Sequence, residues 1–428
     1  MIRFLTINKG VGMKLNIAII LLTGLVTGVV SATTKSYDEL EKKIKALELE
    51  LNQARSEWKS ISKKKHISTK PSMSVMGRIM VDYSFLDADN ALKTATGTTA
   101  KNGAEFRRAR LGAKGNYKNV EYQIEYDFAS GGAALKASYL RWRTPRNKVL
   151  WVGHIKEPFG LEFQSSSKYP IFIESSLLSA FYPSYNMGMY FTDDSQDKRL
   201  SYALGLFYDS DNFGTSSQDD EDDLNATGRL TYLFRNEGNG KKLLHFGLSH
   251  SVRNGNSYRF RTRAENHLWD QRFVDTGNIP AEGTRQTGLE LVWHNGPLQV
   301  QAEHVMTEVS SLVGNDPEFD GTYIQASYFL TGEHRSYNQK YRLFSRVKPK
   351  LDYGLNGGRG AWQIAARYST INLNDVQAGV SGGEQSSKTL GLNWHLNSHS
   401  RIMLNQTYSD IKGIGDASST TLRFQIDF

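Results

Sequence analysis

"TTLRFQIDF", Thr420–Phe428, alternates without interruption. Thr421, Arg423, Gln425 and Asp427 fall on one face; Leu422, Phe424, Ile426 and Phe428 fall on the other. Successive side chains of an extended backbone point to opposite sides, so this is a strand with one wet face and one apolar face. The same period of two runs through the chain from Ser72 onward. It predicts strands at 72–84, 103–117, 119–128, 135–144, 147–154, 187–193, 199–209, 225–235, 242–252, 284–294, 297–308, 319–330, 360–371, 387–397, 399–409 and 418–428. Their number is even, as single-chain bacterial barrels require.

The two faces separate cleanly. In 119–128, Glu121, Gln123, Glu125 and Asp127 oppose Tyr122, Ile124, Tyr126 and Phe128; in 387–397, Leu390, Leu392, Trp394 and Leu396 oppose Gly391, Asn393 and His395. Rings sit near strand ends on the apolar faces, where membrane interfaces hold aromatic girdles. A soluble sandwich also alternates, but its strands are shorter and its outward faces need no rings at their ends. The expected fold is all-β: a 16-stranded antiparallel transmembrane β-barrel over 72–428, preceded by a short N-terminal coiled-coil helix.

Composition agrees. The chain has 21 Tyr, 20 Phe and 38 Gly but only 9 Pro, and after the first thirty positions it has no apolar run of the ~20 residues that a membrane helix needs. There is no cysteine, so an exported chain of this kind must be held by hydrogen-bonded structure, as closed barrels are.

Export is expected from the N-terminus. Lys14 precedes the apolar run Leu15–Val30, and Val30-Ser31-Ala32 offers a cleavage site, giving a signal peptide over 1–32; an uncleaved anchor helix is the alternative. Met13-Lys14-Leu15-Asn16 would itself make a normal start. Cleavage removes three cations, Arg3, Lys9 and Lys14, and no acid, lowering the formal charge from +8 to +5; that excess is too small to argue for nucleic acid. In 37–61, Leu40, Ile44, Leu47, Leu51, Ala54, Trp58 and Ile61 recur at spacings of four and three. This seam predicts a periplasmic coiled coil within 33–62, or else one amphipathic helix lying on its own domain. Lys63-Lys64-Lys65 and Pro71 mark a linker over 63–71.

Connector lengths test the barrel independently, since outer loops should be long and periplasmic turns short. The connectors 85–102, 155–186, 210–224 and 253–283 are long and alternate with short turns. Parity fails at 331–359, a long connector on the periplasmic side. It hides a strand pair or folds into the lumen.

No catalytic motif is found among the scattered His residues and regularly spaced acids, so the chain is read as a non-enzyme without cofactor or metal. Asp219-Asp220-Glu221-Asp222-Asp223 lacks the glycine turn of a calcium loop and reads as a solvated external loop facing lipopolysaccharide. The stronger signals are cationic. Arg259, Arg261 and Arg263 stand at i, i+2 and i+4, so an extended backbone points all three the same way. Repeated fixed cations let an anion move from site to site. A solvated loop touching outer-leaflet phosphates is the alternative, and Glu265 continues the same register. On 103–117, Arg107 and Arg108 are adjacent, with Arg110 and Lys114 in register with Arg108. Lys340, Arg342, Arg346, Lys348 and Lys350 make the connector 331–359 basic. No aromatic row is found on a lumenal face, which argues against a sugar pore.

"EYQIEYDFASGGAALKASYLRW" (121–142), "VGHIKEPFGLEFQSSSKYPIFIESSL" (152–177) and "GAWQIAARYSTINL" (360–373) resemble the phosphate-selective porin O/P family of Gram-negative outer membranes. The resemblance extends over about 72–428. It implies a homotrimer of sixteen-stranded barrels whose inward-folded loops form a constriction approached by an arginine ladder. Arg259, Arg261 and Arg263 resemble the loop part of that ladder, and Arg107 and Arg108 the wall part, with Arg78 beside them; Lys168 stands where a constriction lysine is expected. The family also sends a periplasmic connector into the barrel, and the terminal strand resembles the signal read by outer-membrane assembly machinery. The expected function is an anion-selective channel in the outer membrane for phosphate or polyphosphate, with no nucleic-acid partner. The rivals are a general or cation-passing porin dominated by Glu121, Glu125, Asp127 and Glu303, and a non-conducting adhesin or receptor.

Overall fold

A computed structural model of the chain describes residue 43 and residues 45–52, 70–144, 148–216 and 224–428. The expected signal peptide, most of the coiled-coil segment and linker, and the acidic run 219–223 lie outside the described residues; residues 45–52 are helical.

The barrel wall consists of β1 (Ser72–Ala88), β2 (Gly103–Tyr117), β3 (Val120–Asp127), β4 (Ser138–Arg143), β5 (Val149–Lys156), β6 (Tyr185–Asp194), β7 (Leu200–Tyr208), β8 (Leu224–Glu237), β9 (Lys242–Asn254), β10 (Ile279–Asn295), β11 (Leu298–Ser311), β12 (Glu318–Phe329), β13 (Ala361–Asp375), β14 (Val380–His395), β15 (Ser400–Ile411) and β16 (Gly415–Asp427). Each pairs antiparallel with the next. β16 pairs back onto β1, from Arg78 opposite Asp427 to Ala88 opposite Ala417. The circle therefore has no free edge, and every wall strand finds backbone partners on both sides.

Closure depends on one missing side chain. The Gly77 N–H donates to the Phe428 carbonyl (3.0 Å) and the Phe428 N–H donates to the Gly77 carbonyl (3.1 Å). A Cβ at Gly77 would fall onto the Phe428 ring and lie 2.8 Å from the Arg110 carbonyl.

The alternation has the expected sense. On β1, Arg78, Asp82 and Ser84 are buried in the lumen while Ile79, Tyr83 and Phe85 are exposed on the outside. On the lipid side Tyr83 packs edge-on against Phe424, and Trp362 stacks on Trp394 at 4.9 Å. One register break matters for function. Between Met80 and Val81 of β1 the partners step from Arg108 to Phe106, so Arg107 is the extra residue of a bulge. Neighbours on a regular strand point to opposite faces, and the bulge lets Arg107 and Arg108 both face inward.

The parity failure is resolved. The long connector between β12 and β13 hides no pair of wall strands and lies against lumenal side chains: Tyr337 against His245, Tyr341 against Arg141, and Arg346 against Asp427.

Candidate functional site

Two loops enter the lumen from the outer end, 157–184 after β5 and 255–278 after β9. Phe159, Leu177, Leu178 and Phe181 of the first pack with Phe260 and Val274 of the second and with Val305, Phe319, Tyr323 and Ile371 of the wall in one buried cluster. This apolar contact pins both loops to the β10–β13 side.

A backbone folded inside a barrel must still satisfy its carbonyls. The wall supplies donors: Gln425 to the Lys168 carbonyl (3.1 Å), Arg401 to Pro170 (2.7 Å), Asn393 to Ile171 (2.9 Å) and Arg423 to Ile173 (2.7 Å). Arg335, from the periplasmic connector, donates to the Tyr169 carbonyl (2.8 Å), so segments entering from opposite ends meet there. Glu303 on β11 accepts the Leu161 and Glu162 N–H groups at 2.8 and 2.7 Å, holding the helical turn Leu161–Gln164. Several lumenal arginines thus have structural roles. Arg423 is one: it forks onto Asp82 at 2.7 Å through two nitrogens and also reaches Glu174 at 3.1 Å.

The predicted cations differ in how far they are neutralised. Arg259 forks onto Asp275 at 2.7 Å through two nitrogens. Arg261 is 4.0 Å from the same carboxylate and 44% exposed at its side chain. Arg263 donates to the Trp269 carbonyl (2.7 Å). Phe260 and Thr262, between them, are buried, so the three arginines do share the opposite face. Burial, then the nearby Arg107 charge, push the Arg263 guanidinium below its usual range; the loop row therefore approaches the wall pair. Arg107 forks onto Glu174 (2.6 and 2.9 Å). Burial alone would raise the Glu174 carboxyl, but Arg107 and then Arg423 and Arg108 outweigh it and hold it well below the carboxylate range. Arg108 lies 3.7 Å from Asp127 and its buried Nε has no partner. Arg78 binds Glu125 (2.5 Å) and donates to the Ser167 hydroxyl (2.7 Å). Lys168 makes no ion pair among the described residues; burial, then Arg78, push its ammonium down to about 8, against Asp427.

Glu265 does not continue the row. Its φ of 47° is left-handed, and the kink swings the carboxylate to the wall, onto Arg367 (2.5 Å) and Thr389 (2.6 Å). Arg272 lies within electrostatic reach of Arg263, Arg261, Asp275 and Arg259 and makes no ion pair among the described residues. Ser166 and Ser167 escaped the sequence reading as site residues. The serines could have been found from the hydroxyl run directly before Lys168.

The acids are engaged throughout. Glu121 is held by Arg141 and Arg143, Glu125 by Arg78 and Arg110, Asp127 by Arg110 at 2.8 Å, and Glu303 by backbone N–H groups and the Tyr323 and Gln301 side chains. Arg342 and Arg346 of the basic connector are likewise used in anchoring, to Asp194 (3.2 Å) and Asp427. Among the described residues no group of three His, Cys, Asp or Glu side chains could hold a metal ion.

Known proteins match this architecture. Porin O of Pseudomonas aeruginosa is 27% identical over 77% of this chain and 81% of its own length. An uncharacterized protein of Caulobacter vibrioides is 29% identical over 80% of this chain and 69% of its own. Among solved structures, an anion-selective porin from Comamonas acidovorans superposes with a TM-score of 0.52 over 84% of this chain and all of its own, at 11% identity. The outer membrane channel DcaP of Acinetobacter baumannii also gives 0.52, at 12% identity over 84% of this chain and 98% of its own. These two show the fold alone. The family model for phosphate-selective porin O and P matches residues 74–428, and the chain belongs to that family of outer-membrane porins.

Proposed function

We propose that the barrel is a diffusion pore for small anions, phosphate among them, running down their concentration gradient. One observation carries this reading: the lumenal carboxylates are matched by arginines or N–H donors, whereas Arg108, Arg261, Arg272 and Lys168 keep charge that no close carboxylate cancels. Lumenal charge in excess sets the sign of the ion a wet pore favours. The arginines of loop 255–278 would collect anions at the outer mouth and pass them through Arg263 to Arg108. Arg78, the Ser166 and Ser167 hydroxyls and Lys168 would receive them in the narrow zone. Guanidiniums and hydroxyls match the oxygens of phosphate better than they match chloride.

The cation-passing rival loses its basis in Glu121, Glu125, Asp127 and Glu303, each of which is occupied. Reversal potential across a planar bilayer under a potassium chloride gradient tests the reading. It should show anion preference, with phosphate blocking the chloride current; potassium preference in the unmodified protein would sink it.

A further inference from the structure

We propose that the limb of the periplasmic connector that returns to β13 is a membrane foot, which inserts into the periplasmic leaflet and binds the headgroup of an anionic phospholipid. The inference concerns the outside of the barrel and does not depend on what crosses the pore. The first half of the connector lies against lumenal side chains, as far as Arg346 on Asp427. Its second half runs on the other side of the wall. The Tyr353 N–H donates to the Leu396 carbonyl just past β14 (2.7 Å), and the Tyr353 ring stands edge-on to Trp394 at 4.8 Å. Trp394 alternates with the buried, lumenal Asn393 and His395 and stacks on Trp362, so it faces lipid. Its indole N–H donates to the Arg359 carbonyl (2.9 Å), which ties the end of the limb to the same ring.

Between these two ties the chain makes a tight turn. The Gly354 N–H donates to the Gly358 carbonyl (3.1 Å) and the Gly358 N–H to the Leu355 carbonyl (2.7 Å); a Cβ at Gly358 would collide with the Asp352 carbonyl. The turn displays its large apolar side chains. Leu351, Tyr353 and Leu355 are 57%, 56% and 64% exposed. Beside a lipid-facing pair of tryptophans, three such residues within five positions fit a membrane interface: amphipathic rings settle at the headgroup level and aliphatic side chains reach the acyl boundary. Charge selects the headgroup. Lys348, Lys350 and Arg359 are exposed around the turn. Lys350 donates to the Thr331 carbonyl (2.7 Å), while Lys348 and Arg359 make no ion pair among the described residues. The acids nearby are Asp352, half-buried in the turn, and Glu333, which is buried and accepts the Lys350 backbone N–H at 3.1 Å. The exposed charge is therefore positive, and at a membrane surface it matches a phosphodiester of net negative charge.

The chain has no cysteine, so one introduced thiol reports on one position. Leu355→Cys of the full chain, labelled with a dansyl fluorophore in phosphatidylcholine vesicles, is quenched with acrylamide from water and with trace lipids bearing a nitroxide near the headgroup. Val376→Cys, at an 89% exposed position in the turn between β13 and β14, is the reference. Acrylamide should quench the label at 355 several-fold less than the label at 376. Nitroxide phosphatidylglycerol should quench it about fivefold more efficiently than nitroxide phosphatidylcholine, the factor expected for one cation near an anionic lipid. Lys348→Gln with Arg359→Gln should erase that preference and leave quenching by phosphatidylcholine unchanged, since the apolar side chains remain. Leu351→Cys supplies a second site should the first disturb the turn. Acrylamide access equal to that at 376 overturns the foot. Shielding from acrylamide without quenching by either lipid means that a second copy of the chain covers the patch, and overturns it as well. Equal quenching by the two lipids, or a preference that survives the double substitution, overturns the headgroup assignment.

Discussion

Replacing Arg108 with Gln removes a single lumenal charge, and its effect can be worked from the partners. Arg107 and Arg108 are neighbours on one bulge, yet Arg107 is forked onto Glu174 whereas Arg108 is 3.7 Å from an Asp127 that Arg110 already binds at 2.8 Å. A unit charge about 4 Å from a monovalent anion is worth ~1 kcal/mol in water and ~4 kcal/mol at an effective dielectric of ~20. The Arg108 side chain is only 22% exposed, so the water-like ~1 kcal/mol is the lower bound, and it corresponds to about a fivefold change in a binding constant. The assay is phosphate block of chloride current in single channels, at about 0.1 M and again at about 1 M salt, where the screening length falls from ~10 to ~3 Å. Arg108→Gln should raise the half-blocking phosphate concentration about fivefold or more at low salt, with much of the effect lost at high salt. Arg259→Gln is the control, because Asp275 already cancels that charge. Equal effects of the two substitutions, or no effect of Arg108→Gln, would refute the argument that uncancelled charge, and not mere presence on the path, decides.

Other outcomes follow from the same structure. Lys168 loses its proton as pH rises through about 8, so the chloride-to-potassium permeability ratio should fall between about pH 7 and 9 and stay flat in Lys168→Arg, whose guanidinium remains charged; an identical fall in both would refute it. Glu303→Ala leaves the Leu161 and Glu162 N–H groups without acceptors, a local cost of ~1–3 kcal/mol each when buried. Larger and noisier single-channel conductance, with faster tryptic cutting after Lys168, should report the loosened loop. Gly77→Leu should reduce the fraction that migrates as folded barrel on unheated gels, because the side chain collides with Phe428 at the closing seam.

The wall was legible because a period of two is a direct imprint of the pleat, and each face of a barrel strand meets one solvent only. Even the anomaly at 331–359 was informative, since a basic thirty-residue connector has no place in a short periplasmic turn. What alternation could not reveal were the departures from alternation. Glu265 reads as the next member of the Arg259 register, and one residue at positive φ sends it to Arg367 instead. Arg107 and Arg108 both face inward only because Arg107 is the extra residue of a bulge on their own strand. The lumenal ring cluster of Tyr139, Trp151 and Tyr190 was missed, contrary to the expectation of no aromatic row, because its members come one per strand, on β4, β5 and β6. A row across strands leaves no period in a sequence. Nor could sequence separate structural arginines from free ones; that needs the partners, as Arg423 with Asp82 illustrates, hundreds of residues apart.

The donors that receive the carbonyls of loop 157–184 come largely from the last three strands: Asn393 on β14, Arg401 on β15, and Arg423 and Gln425 on β16. The segment that carries Lys168 therefore depends on the strands that close the barrel. Without β14–β16 the carbonyls of Lys168, Pro170, Ile171 and Ile173 lose these donors, while Glu303 and the apolar cluster still hold the rest of the loop. The proposed selectivity would thus be a product of closure, since the strands at the seam are the ones that seat the backbone around Lys168.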